Sequence, residues 1–170
     1  MQDTKTAVQF RWAIRSDLEK LLSIEAACSG VTAWTEDDFL GELKRKNVIS
    51  MVAEENTEIV GFMLYELQKK RLQVINFAVS PRQQRRGIGS RMIDKLIDKL
   101  CVGRRTKICF TVRESNLSAQ LFLRSVGFRC GKPVRGYYPE PFAEAAYPFV
   151  YTLRDVDDVW CPANRVKEFM

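Results

Sequence analysis

Apolar residues recur along this chain in two alternating rhythms. From Val8 to Ile14 they fall on every second position (Val8, Phe10, Trp12, Ile14), with Gln9 and Arg11 between them, which is the period of a strand with one buried face. Ser16-Asp17-Leu18-Glu19 then carries a helix-capping signature, and Leu18, Leu21, Leu22 and Glu25 follow at helical spacing as far as Ser29-Gly30. A second helix is predicted from Glu36 to Lys46. Strands at Val48 to Glu54 and Ile59 to Gln68 flank the polar turn Glu55-Asn56-Thr57-Glu58, so the pair reads as a hairpin.

A third strand-like run, Leu72 to Val79, leads through a glycine-containing loop into a helix from Ser90 to Cys101. That helix sets Met92, Ile93, Leu96, Ile97, Leu100 and Cys101 against a face of Arg91, Asp94, Lys95, Asp98 and Lys99. Gly103 ends it. A strand at Thr106 to Arg113, a helix at Asn116 to Val126 stopped by Gly127, and strands at Phe128 to Val134 and Ala146 to Leu153 complete the series. Hairpins around a central strand-helix-strand unit predict an α/β sandwich: a mixed, partly antiparallel sheet with helices on both faces.

The loop between Val79 and the central helix is where chemistry is expected. The first amides of a helix have no intrahelical partner and the aligned peptide dipoles leave positive charge there, so an anion is favoured. In Gln84-Arg85-Arg86-Gly87-Ile88-Gly89-Ser90, neither Gly87 nor Gly89 has a Cβ to obstruct a phosphate, and Arg82, Arg85, Arg86 and Arg91 add charge. The loop lacks the Gly-Lys-Ser/Thr of a P-loop, and Met92 stands where a dinucleotide fingerprint needs its third glycine. A plain strand-to-helix turn is the alternative reading.

Composition narrows the class. A chain of 170 residues, 46% hydrophobic, can form one domain, and nothing in it suggests a linker or a repeat. No apolar run approaches a membrane span and the first residues have no secretory apolar core, so a cytoplasmic protein is expected. Cys28, Cys101, Cys109, Cys130 and Cys161 show no metal-binding spacing and read as reduced thiols; no metal is expected. Histidine is absent, so acid-base work falls to Glu, Asp, Tyr, Cys or water. The net charge of +6 suits an anionic ligand. Lys69-Lys70-Arg71 and Arg104-Arg105 with Lys107 read as solvated loop charge without interleaved aromatics, and nucleic acid is not the expected partner.

Asn76-Phe77-Ala78-Val79-Ser80-Pro81 followed by Gln84-x-x-Gly87-x-Gly89 resembles the acetyl-CoA-binding core of the GCN5-related N-acetyltransferases (GNAT). Val112-Arg113-x-Ser115-Asn116, Ala119, Gly127-Phe128 and Gly136-Tyr137-Tyr138-Pro139, with Ile24-Glu25, Trp34-Thr35 and Phe39 upstream, resemble in order the ribosomal-protein-alanine N-acetyltransferases of that family. The resemblance implies a domain over 8–154, with 1–7 an extension and 155–170 a tail. It also implies a mostly antiparallel sheet of about seven strands, about four helices, and central parallel strands that splay apart around a pantetheine arm.

By that resemblance Phe77, Ala78 and Val79 present backbone groups to pantetheine and thioester. Gln84, Arg85, Arg86, Gly87, Ile88, Gly89 and Ser90 wrap the pyrophosphate, and Asn116 touches the cofactor or simply caps its helix. The implied reaction is acetyl transfer from acetyl-CoA to a primary amine, above all the N-terminus of a protein, possibly ribosomal; the alternatives are a small amine such as a polyamine, drawn to Glu36-Asp37-Asp38, or non-catalytic acyl-CoA binding.

The chain departs from this pattern at two positions. Thr111 stands where the alanine-acetylating members have a glutamate base, and Leu123 where they have a tyrosine acid. Glu25, Glu114, Glu140, Tyr137 and Tyr138 remain as candidates. Glu25 is preferred as a base acting through water, Tyr138 as a donor or peptide clamp, and the Val79 amide as the oxyanion donor. The competing readings are a solvated helix face for Glu25 and an aromatic lid for the tyrosines.

Overall fold

A computed structural model describes residues 7–153 of the chain. Its elements, in order, are β1 (Gln9–Trp12), α1 (Leu18–Ser29), α2 (Glu36–Leu43), β2 (Val48–Glu55), β3 (Glu58–Leu67) and β4 (Arg71–Val79), then α3 (Ile88–Ile97), β5 (Lys107–Arg113), α4 (Leu117–Ser125), β6 (Arg129–Cys130), β7 (Val134–Tyr138) and β8 (Glu144–Thr152). The strands form one sheet in the order β1-β2-β3-β4-β5-β8-β6, with β7 also on β8. β4 and β5 run parallel, as a connection through a helix requires, while β1–β2, β5–β8, β6–β8 and β7–β8 are antiparallel. This is the mixed α/β sheet that the alternating rhythms predicted, mostly antiparallel as the resemblance implied.

The parallel ladder is short. It joins Arg71 to Lys107, Leu72 to Ile108 and Gln73 to Cys109, and goes no further. There the Gln73 side-chain amide donates to the carbonyls of Cys109 (3.2 Å) and Val74 (3.3 Å), occupying acceptors where another rung would form. Residues 74–79 of β4 follow the last rung of the β5 ladder.

The described residues group into two compact units: 7–65 with 76–92, and 66–75 with 93–153. In the first, Phe39 is fully buried, edge-on to Trp34 (5.3 Å) and Phe62 (5.5 Å), beside Leu21, Met51 and Met63. Such ring pairs contribute about 0.5–1.5 kcal/mol each beyond their buried area. In the second, Leu96, Ile108, Leu123 and Phe149 are buried, and Phe128 packs between Phe110 and Tyr151.

Several predicted boundaries move. α1 starts at Leu18 behind a short 3-10 turn at Arg15–Asp17 that takes in Ser16; Asp17 accepts the amide of Ile14 at 2.8 Å to cap that turn, and among the described residues no side chain caps α1 itself. α3 begins at Ile88 rather than Ser90 and ends at Ile97, because Cys101 turns away to donate its amide to Arg105 (2.8 Å). The strand expected over 128–134 shrinks to Arg129–Cys130: Gly131 lies so close to Pro148 that a Cβ there would be 3.0 Å from its Cγ, and Pro133 has no amide to donate. The Gly136-Tyr137-Tyr138 segment, which falls between the predicted strands, is part of strand β7, paired to β8. Cys28, Cys109 and Cys130 are free thiols as expected, whereas Cys101 is disulfide-bonded, which the spacing of the cysteines does not reveal. The predicted segments 1–7 and 155–170 lie almost wholly outside the described residues.

Candidate functional site

In the first unit, β4 hands over to α3 through a 3-10 turn, Pro81–Gln83, and the loop Gln84 to Gly87. The first helical hydrogen bond runs from Arg91 N to Gly87 O (3.1 Å), which leaves the amides of Ile88, Gly89 and Ser90 without intrahelical acceptors. Gly87 has φ +78°, a conformation that L side chains avoid, and no atom lies within 4 Å of where its Cβ would be. Arg85 also takes a positive φ, 64°. Left-handed backbone at both residues, just ahead of helix amides that have no intrahelical acceptor, suits an anionic group such as a pyrophosphate.

The arginines divide. Arg86 pairs with Glu55 through both nitrogens (2.8 and 2.9 Å) and also bonds Gln83, so it braces the loop; its pKa is raised by that carboxylate. Arg91 donates to the carbonyl of Val8 (2.9 Å) and lies over the ring of Phe10 (5.2 Å), facing β1 and not the cradle. Arg82 and Arg85 are left as the cradle's available cations.

The end of β4 is held in place by polar contacts. Val79 O accepts from Gln84 Nε2 (2.9 Å) and from Cys28 Sγ (3.3 Å), so Gln84 acts through the strand. Ser80 N donates to Val60 O on β3 (2.8 Å), and strand alternation turns the amide of Val79 away from β3. Gly61 permits this packing: a Cβ there would stand 3.1 Å from Ala78 O and 3.3 Å from the Val79 side chain.

One turn before Cys28 on α1 lies Glu25, 2% exposed. The solvated-face reading of this residue fails. Its Oε1 accepts the amide of Trp34 (3.2 Å), while Oε2 is buried with no hydrogen-bond partner among the described residues. Buried carboxylate oxygens are rarely left so. The same charge contributes, after burial, to the raised pKa of the Cys28 thiol. Asp38, by contrast, closes a capping box with Thr35 (2.8 Å), so the acidic triplet at 36–38 serves the start of α2.

The remaining candidates lie in the second unit. Arg113 stacks over the ring of Tyr138 at 3.7 Å and donates to Glu144 Oε1 (2.9 Å) and Phe142 O (3.1 Å). Glu144 also takes the amide and hydroxyl of Ser115 (2.8 and 3.1 Å), which hold its pKa down together with Arg113. Burial raises the Tyr138 pKa, with Arg113 opposing. Asn116 Oδ1 caps α4 by accepting from Ala119 N (3.0 Å), so the capping alternative holds, and its side-chain nitrogen makes no hydrogen bond among the described residues. Glu114 and Glu140 are exposed; Glu114 reaches Tyr147 at 3.5 Å beside an open depression of about 500 Å³. Leu123 is 1% exposed, core rather than chemistry.

Sequence reasoning missed Cys28, whose exposed thiol touches Val79, and the Arg113–Glu144 clamp, since both join residues far apart in the chain. The burial of Glu25 had a signal: it occupies an apolar position in the stripe that begins at Leu18 and Leu21.

Comparison with known proteins adds to this geometry. The chain is 28% identical over 106 residues (62% of this chain, 71% of the relative) to the [ribosomal protein bS18]-alanine N-acetyltransferase of Salmonella typhimurium. It is 29% identical over 128 residues (74% and 84%) to that of Haemophilus influenzae. Among solved structures, the Escherichia coli ribosomal-protein-S18-alanine N-acetyltransferase superposes with a TM-score of 0.74 at 21% identity, covering 91% of this chain and 99% of that one. Arabidopsis thaliana NAA60 in complex with acetyl-CoA superposes with a TM-score of 0.72 at 18% identity, covering 86% and 98%. These two show the fold. The sequence profile of the acetyltransferase (GNAT) family matches residues 14–128, most of the chain. With the glycine cradle ahead of α3 and the mixed sheet behind it, that match establishes that the chain belongs to the GNAT family of acetyltransferases.

Proposed function

We propose that the protein transfers the acetyl group of acetyl-CoA to the α-amine at the N-terminus of a protein, a ribosomal protein being the candidate acceptor, in the cytoplasm and through a catalytic domain spanning 8–154. The observation that carries this reading is Glu25: a buried carboxylate with an unpartnered oxygen, one turn from the Cys28 thiol that touches the end of β4.

Acetyl-CoA, when bound, supplies an acyl thioester already activated toward a neutral amine. The amides of Ile88, Gly89 and Ser90, with Arg82 and Arg85, suit its pyrophosphate, and the strand backbone of β4 at Phe77, Ala78 and Val79 suits pantetheine. The Val79 amide is the donor toward the acyl carbonyl. Asn116 adds its unpartnered side-chain nitrogen, and Tyr138 its hydroxyl as a donor or peptide clamp.

Glu25 accepts the ammonium proton through water. Its task is modest for this acceptor: an α-amine with a pKa of about 7.7–8.0 needs under about 1 kcal/mol to become neutral near pH 7.4, against roughly 4 kcal/mol for lysine at about 10.4. A site that lacks the family's glutamate at Thr111 and tyrosine at Leu123 is suited to the easier amine. The names of the relatives support the same acceptor. The test is thiol release from acetyl-CoA over peptides that differ in their first residues, beside polyamines and N-blocked lysine peptides. Turnover of free N-terminal peptides alone supports the assignment; turnover of the polyamine or lysine sets, or none at all, overturns it.

A further inference from the structure

Two basic clusters that are distant in sequence meet at one end of the second unit. The turn that precedes β4 carries Lys69, Lys70 and Arg71, and the loop from α3 to β5 carries Arg104 and Arg105 ahead of Lys107. The parallel ladder pairs Arg71 with Lys107, on strands about 4.8 Å apart. Thr106 N bonds Lys70 O (3.2 Å), and Arg105 Nε bonds Gln68 O (2.7 Å), fastening one loop to the other. Read along the chain, each cluster is ordinary solvated charge. Folded, they form a single field within a Debye length.

Among the described residues the charge in that field is uncompensated. None of the six cations makes an ion pair with a carboxylate among the described residues. The strain shows at Arg105, whose pKa is lowered by burial and by Arg104. All except Arg105 are exposed. Like charges held together on a rigid sheet end repel each other until a polyanion arrives, and guanidinium forks match phosphate geometry.

We infer that this sheet end is a docking surface for the phosphate backbone of RNA. Two features select that partner among polyanions. The loops carry no aromatic side chain on which a base could stack, so contact falls on the backbone and is sequence-independent. Their one exposed large apolar residue is Val102, too little to anchor in a lipid interface. The choice of RNA rests on the proposed ribosomal acceptor, because a ribosomal protein substrate is accompanied by RNA.

The experiment is fluorescence anisotropy of a labelled single-stranded 20-mer RNA with the full chain, with coenzyme A saturating so that the cradle's arginines are occupied. Micromolar affinity at 50 mM salt is expected, falling steeply as salt rises. The triple substitution Lys69→Gln, Lys70→Gln, Arg104→Gln should reduce the slope of log K against log salt by about two, at about 0.7 per lost phosphate contact. Coenzyme A affinity and acetylation of a short peptide should stay unchanged, so a failure of this inference is separate from a failure of the assigned reaction. A dissociation constant weaker than about 10⁻⁴ M at 50 mM salt, a slope indifferent to the triple substitution, or tighter binding to anionic vesicles or a poly-glutamate peptide would each overturn it. So would weak RNA binding that tightens when Asp155, Asp157 and Asp158 are neutralised, which would assign the surface to the chain's own tail.

Discussion

The guanidinium of Arg113 lies 3.7 Å above the ring of Tyr138 and is held there by Glu144 at 2.9 Å. One side chain thus fixes an aromatic on β7 and, through Glu144, the Ser115 turn that leads to Asn116. Ring and hydroxyl of Tyr138 can be separated by substitution.

Tyr138→Phe keeps the stack and removes only the hydroxyl. It should lower kcat or raise the acceptor KM several-fold without shifting Tm. Tyr138→Ala and Arg113→Met should also cost about 1–2 kcal/mol of stability, since each ends a desolvated cation–π contact. Because burial raises the Tyr138 pKa, the phenol stays protonated through neutral and mildly alkaline pH, and Tyr138→Phe should leave the apparent pKa values of the rate profile unmoved.

Glu25→Gln preserves an acceptor for the Trp34 amide and deletes the base. A fall of about five- to tenfold in kcat at pH 7 is expected, set by the fraction of acceptor amine that is neutral without a base. The deficit should shrink toward pH 9, where the acceptor α-amine is neutral without help. Steady-state kinetics from pH 6 to 9 check it; a deficit independent of pH would sink the role. Stability should hold or rise, since a buried unsatisfied charge is removed.

Gly87→Val and Gly103→Val impose the same kind of backbone strain, at φ +78° and +86°, and neither new Cβ meets any atom within 4 Å. Both should lose stability by roughly 1–2 kcal/mol or more. Only Gly87→Val should weaken coenzyme A binding, by at least tenfold, or about 1.4 kcal/mol. Titration calorimetry beside thermal melts separates the two effects.

Alkaline stability should depend on Tyr65, 1% exposed, whose pKa burial raises well above the ordinary value. A folded-state pKa above the unfolded one means that its contribution is full below about pH 10 and is lost as pH rises toward the folded value. Guanidinium unfolding at pH 8 and pH 11 should show a steeper loss in the parent than in Tyr65→Phe.

Much of this was legible in the sequence because it is local. The Asn56–Thr57 turn, both residues at positive φ, announces the β2–β3 hairpin, and the apolar stripe with its glycine lead-in announces α3. What stayed hidden is set by partners far along the chain. Tyr137 and Tyr138 fall outside every predicted strand because their pairing depends on β8. Arg86 and Arg91 read as cradle charge because nothing nearby in sequence reveals Glu55 or Val8. The basic clusters read as two because only the β4–β5 register makes them one.

Glu55 closes β2 at the foot of the first hairpin, and its grip on Arg86 reaches 31 positions down the chain. An early turn without chemistry of its own therefore serves as the footing of the anion loop. Lengthening or reshaping that hairpin would loosen the binding loop while every residue of the loop itself remained in place.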